Sequence, residues 1–256
     1  MRAAGTNPER LTASFGGPAA RLDFFDPQTF APAARGCSAL FLMRPPAIAA
    51  VRRTLIPFLA VAREEGVRHV VFLSVQGAAS NPLLPHHTVE SRLCADPGTW
   101  TILRPGFFAQ NLQDAYARDL TEDSRLYVPA GAGRVAFIDV RDIAEVAADA
   151  LLSPDTHEGQ AYTLTGPAAL SFAEVADLLS ELLGRRIRYE PASVLGYVAH
   201  LRRRGLEAAQ IGVMLALHLG LRFGQAASVD PTLARLLGRP GRSLREYARD
   251  HVAAWR

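Results

Sequence analysis

The sequence predicts an α/β protein, a doubly wound parallel sheet followed by a smaller, mostly helical C-terminal lobe, and three observations predict it. Between residues 22 and 150, short apolar runs alternate with segments of helical periodicity, the pattern of βαβ units. One crossover is complete in itself: the run Ala39–Met43 is followed by residues 47–65, where Ile48, Val51, Leu55, Phe58, Leu59 and Ala62 recur at helical spacing. Gly66 then stands at the C-cap position before the next apolar run, 67–75. Beyond Ser193 the chain reads as mostly helical.

The elements follow in order. Strands are expected at 22–25, 39–43, 67–75 and 100–103, each ended by a turn or a charge cluster. Residues 78–85, rich in Ala, Ser, Asn and Pro, predict a loop over the C-terminal edge of the sheet, with a helix at 87–95 after it. Residues 105–129 are expected to leave the sheet for a second lobe, and 135–140 to return as a strand. Asp139 or Arg141 then opens a helix over 142–152 with acidic residues in its first turn. A strand at 162–165 ends at Gly166 and Pro167, Ser171 and Glu174 form a capping box for a helix over 172–183, and 186–189 reads as a last strand. The expected division is 1–150 and 151–256, with 106–134 contributing to the second part. Residues 193–222, apolar with Tyr197, His200, Met214 and His218 interspersed, fit either a lid over a ligand or a helical cap packed on the sheet.

With 256 residues, 49% of them hydrophobic, the chain is long enough for one large α/β domain or a domain with a smaller lobe. It contains no lysine, so all 28 basic residues are arginines and any mechanism built on a lysine is excluded. The net charge is +3 and the arginines are scattered apart from Arg202, Arg203 and Arg204, which argues against the concentrated basic face of a nucleic-acid binder. Cys37 and Cys94 match no metal-ligand spacing and read as buried or incidental thiols of a reducing compartment. The longest apolar run, 211–221, contains His218 and is too short to span a bilayer, and the N-terminus lacks the apolar stretch of a signal peptide. The expectation is a cytoplasmic monomer or homodimer acting on a small molecule, with no metal, membrane or direct nucleic-acid partner.

Several strings in order carry a family signal: LDFFDPQTF, ALFLMRPPAI, VRHVVFLSVQGA, PHHTVE, WTILRPGFFAQN, FIDVRDIAEVAA, YTLTGP and LLGRRIRYEP. Together they span residues 21–191, and the chain resembles the NmrA-like branch of the atypical short-chain dehydrogenases/reductases. The resemblance implies a Rossmann-type fold with NADP or NAD, NADP slightly favoured, along the C-terminal strand ends, and a substrate cleft under the C-terminal lobe. Carried over by position, Thr6 and Asn7 meet the adenosine ribose, and Asp23 and Phe24 the adenine. Leu42, Met43 and Arg44 flank ribose and phosphates, while Ser74, Val75, Gln76, Pro105, Gly106 and Phe107 lie toward the nicotinamide. Phe107, Phe108 and Asn111 face the substrate. Read without the family, Asp23 is as well a turn residue or cap, Phe24 core, Ser74 a satisfied hydroxyl and Asn111 a helix cap.

The sequence departs from the family pattern in two places. No strand with a glycine-rich turn, the element whose backbone amides cradle the pyrophosphate, precedes Asp23, and Gly16 and Gly17 read as a loop. The expectation is an N-terminally truncated sheet lacking its central strand, with unpaired inner edges on both sides of the gap. Where the wider superfamily keeps a tyrosine and a lysine four residues apart, this chain has PHHTVE, with His86 at the position where many relatives keep a lysine before the glutamate, Glu90. His86 or His87 is a candidate proton donor, with Ser74 as its catalytic companion and Glu90 placed to orient His86 one turn along the helix. Three functions remain open: an NAD(P)H-dependent reductase of a small carbonyl, quinone-like or imine acceptor, a non-catalytic NAD(P) redox sensor, and an inactive remnant.

Overall fold

The structure, a computed structural model, describes residues 1–96 and 98–256. The strands are β1 (Ala3–Gly5), β2 (Ala19–Arg21), β3 (Ala39–Met43), β4 (His69–Leu73), β5 (Thr99–Pro105), β6 (Arg125–Val128), β7 (Arg134–Ala136), β8 (Gln160–Leu164), β9 (Ala169–Ser171) and β10 (Arg188–Pro191). The helices are α1 (Pro8–Phe15), α2 (Phe30–Ala34), α3 (Leu55–Glu64), α4 (Pro85–Ala95), α5 (Ala117–Glu122), α6 (Val140–Leu152), α7 (Pro154–His157), α8 (Phe172–Leu183), α9 (Val194–Arg203), α10 (Ala208–Arg222), α11 (Thr232–Leu237) and α12 (Leu244–Asp250). The chain divides into one unit made of Met1–Arg104 with Ala147–Tyr162 and another made of Pro105–Val146 with Thr163–Arg256. The fold is α/β, with a parallel sheet and C-terminal helices.

In the first unit β3, β4, β5 and β8 form one sheet in that order, and the β3–β4 and β4–β5 ladders are parallel. Its core sets Leu42, Val70 and Phe72 against Phe30, Phe58, Leu59 and Val89. β1 and β2 make a separate parallel pair, and among the described residues no ladder joins that pair to β3. Burial along β3 is one-sided, because Leu42 is 2% exposed while its neighbours Phe41 and Met43 are 40% and 54% exposed. Successive side chains point to opposite faces of a strand, so one face of β3 is covered and the other is open. Parallel strands are ordinarily covered on both.

Three local expectations shift for identifiable reasons. The strand expected at 22–25 ends at Arg21, because Asp23 forms a turn: its Oδ1 accepts the Phe25 amide at 2.9 Å, and its backbone N–H donates to Thr29 Oγ1 at 3.0 Å. The helix expected over 47–65 begins only at Leu55. Arg44 Nη1 donates to the carbonyls of Pro45, Pro46 and Ile48 at 3.0, 3.1 and 2.6 Å, which holds that segment open, and a short 3-10 turn over Val51–Arg53 intervenes. Conversely, the helix expected at 87–95 begins at Pro85, with proline at its first turn, so His86 joins His87 on the helix. Cys94, expected to be a buried or incidental thiol, is exposed, and Cys37 is half-buried.

The second unit is organised around an aromatic cluster. Phe137 meets Phe107 and Phe172 edge-on at 5.5 and 6.0 Å between ring centroids, and the Trp255 indole N–H donates to the Leu112 carbonyl at 2.9 Å. β7 pairs antiparallel with β9, and β10 runs parallel to β6, a strand the sequence reading did not place. The capping box at Ser171 and Glu174 forms as expected. Gly166 in the YTLTGP string is required sterically, since a Cβ there would fall 1.8 Å from the Phe137 carbonyl oxygen.

His218 on α10 is fully buried in this unit. It accepts the Tyr116 hydroxyl at Nε2 (2.6 Å) and donates from Nδ1 to the Met214 carbonyl (2.6 Å), with the Tyr197 hydroxyl 3.3 Å from Nδ1. Burial pushes its pKa down from 6.5 to about 4. The unfolded chain therefore takes up a proton that the folded chain refuses, so stability is full above pH 6.5 and falls as the pH drops toward 4. The loss assigned to this one group is about 3 kcal/mol. Urea denaturation across that window is expected to show a flatter pH profile for His218→Gln than for the unsubstituted chain; identical slopes would rule the assignment out.

Candidate active site at the carboxyl ends of the parallel strands

β4 delivers Ser74 to its carboxyl end, where the Ser74 amide donates to the Leu103 carbonyl at 2.8 Å and so continues the ladder one residue past the strand. Gly77, with φ of 84°, turns the chain away from the sheet, and the loop returns as α4. His87 ties helix to loop through Nδ1, 2.8 Å from the Ala78 carbonyl. The helix registers His86 and Glu90 toward the strand ends, where they are 9% and 3% exposed.

Two hydrogen-bonded chains result. In the first, Ser74 Oγ donates to Glu90 Oε1 at 2.5 Å, and Arg104 on β5 grips the same carboxylate through Nε to Oε1 (3.1 Å) and Nη2 to Oε2 (2.8 Å). A bidentate arginine provides the partner that a buried carboxylate requires. The Ser74 proton is directed at Glu90, which leaves the Oγ lone pairs as acceptors. In the second, Arg44 Nε donates to His86 Nε2 at 3.2 Å, and the Phe72 ring lies 6.2 Å from the imidazole. His86 Nδ1 is buried and has no hydrogen-bond partner among the described residues. Burial first, then the Arg44 charge, pushes the His86 pKa from 6.5 down to about 4 against the opposing pull of Glu90.

Two sequence expectations change here. Glu90 does not orient His86; its oxygens are bonded to Ser74 and Arg104. His86 does not titrate near neutrality, so any part it takes at pH 7 is that of a neutral imidazole. Arg104 went unremarked in the sequence, although an arginine inside the apolar string WTILRP was a visible sign of a buried counter-charge.

The remaining candidates are placed as follows. In the first unit, exposed Asn7 caps α1 by accepting the Arg10 amide at 2.9 Å, beside exposed Thr6. Asp23 holds its turn, and Phe24 packs edge-on to Phe58 at 5.5 Å. Leu42 is core, Met43 is exposed, and Val75 and Gln76 are half-buried beyond Ser74. In the second unit, Pro105 is buried and Phe107, 6% exposed, packs against Phe137 and lies 6.5 Å from His218. Phe108 is half-buried and bridges to Ile138 through its backbone, and half-buried Asn111 sits in a 3-10 turn where its carbonyl accepts the Tyr116 amide. Among the described residues no helix is long and apolar enough to cross a membrane, and no group of His, Cys, Asp and Glu is arranged to hold a metal ion.

The profile of the NmrA-like family matches residues 20–204. The chain belongs to the NmrA-like family. It is 35% identical over 239 residues to the NAD(P)H azoreductase of Xenophilus azovorans, an alignment covering 91% of this chain and 82% of that protein. Among solved structures, the NADPH-dependent quinone oxidoreductase of Escherichia coli superposes with a TM-score of 0.84 at 25% identity, over 98% of this chain and 90% of the other. The triphenylmethane reductase of Citrobacter sp. superposes with a TM-score of 0.86 over 97% of this chain and 89% of the other, and at 23% identity it is a likeness of fold. This NmrA-like chain therefore has reductases that use NAD(P)H among its homologues.

Proposed function

We propose that this NmrA-like protein is an NAD(P)H-dependent oxidoreductase that reduces a small carbonyl, quinone-like or imine acceptor. The observation that carries the reading is the pair of buried polar chains, Ser74–Glu90–Arg104 and Arg44–His86, at the carboxyl ends of parallel strands. The azoreductase relative supports it. When bound, the dinucleotide supplies the hydride, and the protein supplies orientation and hydrogen bonds.

The residues present suit the two ends of an NADP or NAD molecule. At the nicotinamide end, Ser74 Oγ is left as an acceptor and His86 Nδ1 as a donor without a partner among the described residues, with Val75 and Gln76 assigned beside them; for Pro105 and Phe107 of the second unit we keep the nicotinamide assignment that the family resemblance implies. At the adenosine end the assignment is Thr6, Asn7, Asp23 and Phe24, with Leu42, Met43 and Arg44 in between. Phe107, Phe108 and Asn111 are assigned to the acceptor. The pyrophosphate lacks a cradle among the described residues: α1 opens on Pro8 and is capped by Asn7. We assign that role to one further parallel strand, glycine-rich turn and helix between β1 and β3. The unjoined β1 and β3 edges and the open Phe41 and Met43 face of β3 support that assignment.

The reaction is tested by following NADPH oxidation with a panel of quinones and azo dyes, using the 256-residue chain with and without a supplied strand–turn–helix unit, and His86→Ala as the comparison. Turnover is expected with at least one acceptor and at least tenfold less in the variant. Failure with every acceptor would sink the reductase reading.

A further inference from the structure

His86 is held from one side only. Its Nε2 receives the Arg44 Nε–H at 3.2 Å, and an arginine has donors but no acceptor, so Nε2 must present its lone pair. A neutral imidazole in that position carries its proton on Nδ1. That nitrogen is buried and has no partner among the described residues, in a side chain 9% exposed. Buried donors are paired as a rule, and an exception asks for an explanation. Arg44 is in turn fixed by three carbonyls, those of Pro45, Pro46 and Ile48, so its Nε–H is aimed by the loop and not by chance. Glu90, the nearest carboxylate on the same helix, is turned away toward Ser74 and Arg104 and does not take the Nδ1 proton.

We propose that Arg44 is a positioning residue that fixes the tautomer of His86, so that Nδ1–H is a one-directional donor kept for an acceptor atom of a bound small molecule. The group recognised is one that offers a lone pair and needs no proton in return, such as a carbonyl, quinone or azo group. This rests on reading the strand ends as the reductase site, but the tautomer itself does not. The loop Pro45–Ile48 and α4 are thereby coupled: the clamp that opens the loop also sets the direction of the hydrogen bond on the helix.

The test is a long-range proton–nitrogen correlation spectrum of the full chain labelled with nitrogen-15 histidine, assigned with His86→Gln. The expected result at pH 7 is a protonated Nδ1 and a lone-pair Nε2 for His86. Arg44→Met is expected to move most of the population to the Nε2–H form, and Arg44→Lys, which restores a donor, to bring the Nδ1–H form back. An Nε2–H or doubly protonated His86 in the unsubstituted chain overturns the proposal, as does an Nδ1–H form that persists in Arg44→Met. Should Arg44→Met fail to fold, the unsubstituted chain and Arg44→Lys decide it alone, because both must show Nδ1–H. None of these spectra needs cofactor or acceptor, so a failure of the reductase assay and a failure of the tautomer assignment are separately visible.

Discussion

Supplying a strand, a glycine-rich turn and a helix beside β3 is expected to raise the affinity of the chain for NADPH, and to stabilise it. The stabilisation has two sources. Covering Phe41 and Met43, now 40% and 54% exposed, removes roughly half of two large apolar side chains from water. That contributes about 2 kcal/mol. The new strand would also give a ladder partner to the edge of β3, which among the described residues pairs only with β4. The affinity comes from free amides at a helix N-terminus, which the capped and proline-led start of α1 does not offer. Calorimetry with NADPH and urea denaturation, with and without the added unit, check the two parts. Tight binding by the 256-residue chain alone would overturn the assignment of the pyrophosphate cradle.

Arg104→Met is expected to destabilise the protein by about 3–5 kcal/mol, the cost of leaving a buried charge without its partner. The Glu90 side chain is 4% exposed and that of Arg104 22%, so the pair is shielded from screening by solvent. The double variant Glu90→Leu with Arg104→Met is expected to recover most of the loss, because removing both charges removes the penalty together with the attraction. Ser74 then has no carboxylate to donate to, so reductase activity stays low in the double variant although its stability returns. A loss of less than about 1 kcal/mol in Arg104→Met would mean that the pair behaves as an exposed one.

Much of the fold was visible in local pattern. The helix 172–183 and its capping box are written in neighbouring residues, and the apolar runs at 39–43, 67–75 and 100–103 name the strands that pair as β3, β4 and β5. Shorter strands were not visible: β6 pairs with β10 from more than sixty residues away, and nothing in RLYV announces that partner. At the site, Ser74, His86 and Glu90 were readable as residue types, but their bonding was not. Spacing along α4 put Glu90 one turn from His86 and suggested that they interact. The sheet placed Arg104 and Ser74 closer to the carboxylate, and the stronger, bidentate partner took it.

What the sequence determined by itself was the alternation of strands and helices, the absence of any lysine to serve as a catalytic ammonium, and the family. These are properties of neighbouring residues and of composition, and need no knowledge of what meets across the fold. Which carboxylate pairs with which arginine, which nitrogen of His86 meets Arg44, and which face of β3 lies open were decided by the tertiary structure. Each depends on groups brought from distant positions into a medium with little water, where a hydrogen bond or an uncovered side chain weighs far more than it does along an extended chain.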